Sequence, residues 1–89
     1  LEELAAFLKA NPDARVALVG HTDATGSLEG NTALSRRRAQ AAVDYLTGRH
    51  GINAARISAE GAGYLAPVAS NLTAEGREQN RRVEAVLLP

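Results

Sequence analysis

Apolar residues recur along this chain in two rhythms. Leu1, Leu4, Ala5 and Leu8 fall at helical spacing, and Asn11-Pro12 closes that stretch because a proline cannot continue a helix. From Arg15 to Gly20 the rhythm shortens, with Val16 and Leu18 on one side and Ala17 and Val19 on the other, as in a strand covered on both faces and central in a sheet. Gly20 to Gly30 is rich in Gly, Thr, Ser and Asp and reads as a loop. Beyond it Leu34, Ala39, Ala42, Val43 and Leu46 form the stripe of a long helix, closed by Gly48 or Gly51.

Ile52 to Glu60 carries Ile57 and Ala59 as a second strand, and a strand-helix-strand unit of this length predicts a right-handed parallel crossover. Gly61-Ala62-Gly63-Tyr64, Pro67 and Asn71 mark a second loop. Thr73 is placed to cap a short helix, Ala74 to Gln79. Arg81 to Leu88 alternates Val83, Ala85 and Leu87 inward against Arg82, Glu84 and Val86 outward, a last strand near an edge. The order helix, strand, helix, strand, short helix, strand predicts an α/β (α+β) sandwich: a mixed sheet with a βαβ crossover and helices packed mainly on one face. There are no repeats or internal linkers, so residues 1–89 read as one domain.

Composition narrows the partners. Apolar content is 45%, enough for a core, but Phe7, Tyr45 and Tyr64 are the only aromatics, which leaves no material for base stacking or an aromatic cage. Ten basic and ten acidic side chains cancel, so the field that drives phosphate-backbone binding is missing and nucleic acid is disfavoured. All the basic residues except Lys9 are Arg, a bias suited to forked carboxylate recognition. Cysteine is absent, and no apolar run approaches the roughly 20 residues that span a bilayer.

Candidate chemistry concentrates in Gly20-His21-Thr22-Asp23-Ala24-Thr25-Gly26. Asp23 lies where the first strand exits, the end at which α/β sheets bind ligands, and Arg38 follows fifteen residues later in the early turns of the long helix. Asn31, Leu34 and Arg38 share one face of that helix. A carboxylate and a guanidinium so placed can hold a zwitterion. In this setting Asp23 also suits an Asx turn, and Asn31 also suits an N-cap. His21 and Asp23 lack a third ligand for a metal, Ser27 and Ser35 lack a base partner, and Gly61-Ala62-Gly63 opens no helix as a dinucleotide loop would. His21 reads as a structural hydrogen-bonding residue. Of Arg81 and Arg82, on opposite strand faces, only one can look toward a given site, leaving the other for Glu84, Glu78 or solvent.

Five ordered segments carry a resemblance: Val19-Gly20-His21-Thr22-Asp23 with Gly26; Asn31 with Leu34-Ser35 and Arg38-Ala39; Gly51-Ile52 with Arg56-Ile57; Gly61-Ala62-Gly63 with Pro67 and Asn71; and Gly76-Arg77 with Asn80-Arg81-Arg82-Val83-Glu84. In these the chain resembles the OmpA-like peptidoglycan-binding domain shared by OmpA C-terminal domains, Pal-type lipoproteins and MotB-type stators. It departs at Gly30, where an aromatic commonly precedes the Asn, and at Ala62-Gly63-Tyr64. It departs also in opening with a helix, where family domains have a strand first, which would leave a sheet edge exposed.

The resemblance implies non-covalent binding of peptidoglycan through the diaminopimelate of its stem peptide, with no catalytic residue, metal or cofactor. Its ligand-holding pair maps onto Asp23 and Arg38, with Asn31 in support and Thr22, Leu34 and Arg81 lining or bracing the pocket. It further implies a periplasmic domain of the cell envelope, tethered to the outer or inner membrane through segments outside this chain, with a homodimer left open. The alternative is a protein-interaction module of the envelope with no direct hold on the wall.

Overall fold

The computed structural model describes residues 1–89 as α1 (Glu2–Ala10), β1 (Val16–Gly20), α2 (Leu28–His50), a 3-10 turn (Ala54–Arg56), β2 (Ile57–Gly61), α3 (Ala74–Asn80) and β3 (Val83–Leu87). The expected order of elements is borne out, and the differences are at their ends. Helix α2 begins at Leu28 because the Ser27 hydroxyl accepts the Gly30 amide, so the N-cap is Ser27 and not Asn31. It ends at Gly51, whose φ of 67° is the left-handed conformation that a non-glycine residue adopts at a cost; Gly48 lies inside the helix. Strand β2 starts only at Ile57, because Asn53 caps the 3-10 turn ahead of it by accepting the Ala55 amide.

The sheet has the order β2-β1-β3. β1 and β2 are parallel, with Val16 opposite Ile57 and Gly20 opposite Gly61. β1 and β3 are antiparallel, with Val16 opposite Leu87 and Gly20 opposite Val83. β1 is thus central, as its two apolar faces predict.

One core joins Ala5 and Leu8 of α1, Ala39, Val43 and Leu46 of α2, Val16 and Leu18 of β1, Ile57 and Ala59 of β2, and Ile52. Leu8, Leu18 and Leu46 are fully buried, each contributing about 1.5–3 kcal/mol. Arg56 fastens α1 to this layer: its Nη2 donates to Leu8 O (2.7 Å) and Asn11 O (2.8 Å), and its Nε to Ala14 O (3.0 Å). One carbonyl left open at the helix end, Leu8 O, is thereby satisfied, as are two in the turn that follows.

β3 differs from expectation. Val83, Ala85 and Leu87 lie on the helix-facing side of the sheet yet are exposed, because α2 packs over β1 and β2 and leaves β3 largely uncovered. No strand precedes α1 in residues 1–89, and the outer edge of β3 has no partner strand.

Two glycines bring α2 to the sheet. A Cβ on Gly20 would lie 2.0 Å from Ser35 O, and one on Gly61 would lie 2.5 Å from Thr32 O. With hydrogen at both paired positions, the early turns of α2 press directly onto the carboxyl ends of β1 and β2. The fully buried Ser35 completes the junction: its hydroxyl donates to Thr32 O and accepts the Gly63 amide.

Candidate functional site

The segment after β1 turns at once into the loop that carries Asp23. His21 donates its amide to Arg82 O (2.8 Å), and Thr22 donates its amide to Gly63 O (2.8 Å). The strand is therefore clamped between the approach to β3 and the loop after β2. Thr22 is buried, and its hydroxyl donates to Asp23 O (2.8 Å), so it shapes the loop and presents no free donor.

Asp23 makes the expected Asx turn and more. Oδ1 accepts the Thr25 amide at 2.9 Å, and Oδ2 accepts from Arg81 Nη1 at 2.6 Å. The Thr25 amide, and then the Arg81 guanidinium, hold the Asp23 carboxyl below the ordinary aspartate value. A carboxylate has about four lone-pair sites, so these contacts leave capacity for one further cationic donor.

Asn31 sits in the first turns of α2 and is buried. Its Nδ2 donates to Thr25 O and Ser27 O, both at 2.8 Å, which ties the Asp23 loop to the helix. Both amide protons are therefore spent on the loop. Leu34 is half-buried on the same face, and Arg38 follows one turn later, exposed and free of any ion pair or side-chain hydrogen bond. Arg38 shares the helix face of Asn31 and Leu34 but is not bonded to Asp23. The residue that meets Asp23 is Arg81.

Arg81 stands on a support that sequence reasoning missed. Asn80 is fully buried; its Oδ1 accepts the Val68 and Ala69 amides, and its Nδ2 donates to Ala69 O and Asn71 Oδ1. One side chain thus organises the loop around Pro67 and fixes the end of α3. Its signal in the sequence is its place at the head of the Asn80-Arg81-Arg82-Val83-Glu84 segment, which gives it no structural role. Arg77 Nη1 donates to Asn71 O and helps set the approach of α3. Arg82 pairs with Glu84 and donates to Ala66 O, so only one of the two arginines meets Asp23, but strand alternation is not the reason: β3 begins at Val83, and Arg81 is the C-cap of α3.

His21 departs from expectation. It is buried, and neither ring nitrogen has a hydrogen-bond partner; Glu84 Oε1 lies 3.9 Å from Nε2. Burial, and then the charge of Arg82, hold its pKa below the ordinary histidine value, while Glu84 pulls the other way.

None of the surface concavities is lined by Asp23, Asn31 or Arg38, so the site is an open cluster of loops at the carboxyl end of the sheet. It presents the Asp23 carboxylate paired with the Arg81 guanidinium, while Arg38 stands exposed on α2. No group of three potential metal ligands occurs, and no helix is long and apolar enough to cross a membrane.

The chain has clear relatives among known proteins. Residues 1–81 match the OmpA family. The peptidoglycan-binding protein ArfA of Mycobacterium tuberculosis is 49% identical over 87 residues, which are 98% of this chain and 26% of that protein. Outer membrane porin F of Pseudomonas aeruginosa is 46% identical over 85 residues, 96% of this chain and 24% of the porin. The chain thus spans about a quarter of the length of either relative. Among solved structures, the peptidoglycan-associated lipoprotein from Burkholderia pseudomallei superposes with a TM-score of 0.90 at 32% identity, covering 98% of this chain and 73% of that one.

Proposed function

We propose, for a chain that belongs to the OmpA family, that residues 1–89 form one binding domain that grips peptidoglycan without chemistry and anchors an envelope protein to the wall. What supports this reading is the ionised Asp23 at the carboxyl end of the sheet, followed by a helix that carries the exposed, unpaired Arg38, on a fold shared with a peptidoglycan-associated lipoprotein and a sequence half identical to a protein named for binding peptidoglycan.

The ligand chemistry follows from the charges. The free end of diaminopimelate carries an ammonium and a carboxylate on one carbon. Asp23 accepts the ammonium and Arg38 takes the carboxylate through its fork, each charge-assisted contact contributing about 1.5–3 kcal/mol. Thr22 and Asn31 hold the loop that aims Asp23, and Leu34 supplies an apolar wall between the charged ends. Modest affinity is enough, because the wall is a polymer of repeated stems and a tethered domain meets it at high effective concentration.

Relatives named as an outer membrane porin and a peptidoglycan-associated lipoprotein support a place in the envelope, with the domain in the periplasm and the membrane attachment carried by other segments. The test is co-sedimentation with purified sacculi. The unsubstituted protein pellets with them, whereas Asp23→Ala and Arg38→Ala stay in the supernatant while keeping a folded circular dichroism spectrum and a cooperative melting transition. Sedimentation of both variants would show that the hold on the wall lies elsewhere.

A further inference from the structure

We propose that Arg81 sets the selectivity of the Asp23 site by acting as its resident cation, so that a ligand ammonium is accepted well only when it brings a carboxylate with it. This inference rests on the reading of Asp23 as the ammonium acceptor.

The pair is asymmetric. The Asp23 side chain is 14% exposed and the Arg81 side chain 42%, so a ligand approaching the carboxylate meets the guanidinium as well. The backbone that carries Arg81 is fixed. Its amide donates to both Arg77 O and Glu78 O, and it follows directly on the fully buried Asn80 with its four hydrogen bonds. A bare ammonium at Asp23 is therefore a second cation competing for one carboxylate, and like charges brought that close oppose binding.

A zwitterion changes the sign of the encounter. Its carboxylate adds the missing negative charge between Arg38 and Arg81. Of the five N–H donors on a guanidinium, Arg81 commits only Nη1 to Asp23, which leaves others to share that carboxylate. Arg81 thus penalises a plain amine and tolerates or rewards an amino acid end.

The experiment compares two stem tripeptides, one with meso-diaminopimelate and one with lysine at the third position, against the unsubstituted chain, Arg81→Gln and Arg81→Lys. The unsubstituted chain prefers the diaminopimelate tripeptide. In Arg81→Gln the lysine tripeptide binds tighter by about fivefold, the scale of an exposed charge interaction, while the diaminopimelate tripeptide gains nothing, so the preference narrows. Arg81→Lys keeps the charge and keeps the preference. An unchanged preference in Arg81→Gln, or an equal narrowing in Arg81→Lys, would overturn the role of the Arg81 charge and leave Asp23 as acceptor. Failure of the unsubstituted chain to bind either tripeptide would instead overturn the proposed function, and this inference with it.

Discussion

Arg81 reaches Asp23 across 58 positions of sequence, placing Nη1 2.6 Å from Oδ2. The contact joins the loop after β1 to the end of α3, so the candidate site is assembled from the two halves of the chain. It also explains how Asp23 stays ionised: the Thr25 amide and the Arg81 guanidinium both favour the charged form.

That arrangement fixes the acid response of the loop. The folded value of Asp23 lies below its unfolded value, so its contribution to stability is complete above the unfolded value and is lost as pH falls through the folded one. The melting-point difference between the unsubstituted protein and Asp23→Asn should stay constant from neutral pH down to about 5, then shrink below about 3.9. A difference that fades between pH 7 and 5 would show that Asp23 is not held in this way.

His21 has the opposite chemistry and an earlier onset. Burial favours its neutral form, so between its folded value and the ordinary value near about 6.5 the unfolded chain binds more protons and stability rises with pH. On acidification from pH 7 to 5 the unsubstituted protein should therefore lose stability more steeply than His21→Gln. Arg82 and Glu84 flank the ring and are retained in both proteins, as is the His50–Glu2 pair at the far end of α2. Parallel urea-unfolding stabilities across that pH range would contradict the assignment.

Asn80→Ala removes one carboxamide and strands the Val68 and Ala69 amides with no acceptor. The fold should lose about 2–4 kcal/mol, as expected when several buried hydrogen bonds go together. Sacculus binding should weaken in parallel, because Arg81 loses its support. Chemical denaturation gives the first quantity and co-sedimentation the second. A loss of stability under about 1 kcal/mol would mean that the Pro67 loop is held by other contacts.

The legible parts of this fold were those written in local pattern. The double-sided apolar run Val16–Val19 announces a central strand, and Thr73 announces α3, where its hydroxyl indeed accepts the Gly76 amide. The site was legible to the extent that Asp23, Asn31, Leu34 and Arg38 cluster in one stretch of sequence. What did not show was long-range partnership. Ser27 and Asn31 are both good caps in isolation, and only the bonds from Asn31 to Thr25 O and Ser27 O reveal it as a loop tie. The Asn80 hub and the Asp23–Arg81 pair depend on where α3 docks, which no periodicity encodes. The exposure of Val83, Ala85 and Leu87 likewise depends on what fails to cover β3.

The central claim is that Asp23 and Arg38 together read an ammonium and a carboxylate on one carbon. Calorimetric titration with a diaminopimelate-containing muropeptide and its lysine counterpart tests it most directly. The account predicts measurable binding of the first and affinity for the second lower by on the order of tenfold to a hundredfold, the cost of leaving Arg38 without its partner and of setting a bare ammonium against Arg81, with Asp23→Ala and Arg38→Ala binding neither. Equal affinity for the two muropeptides, or undiminished binding by either variant, would contradict it.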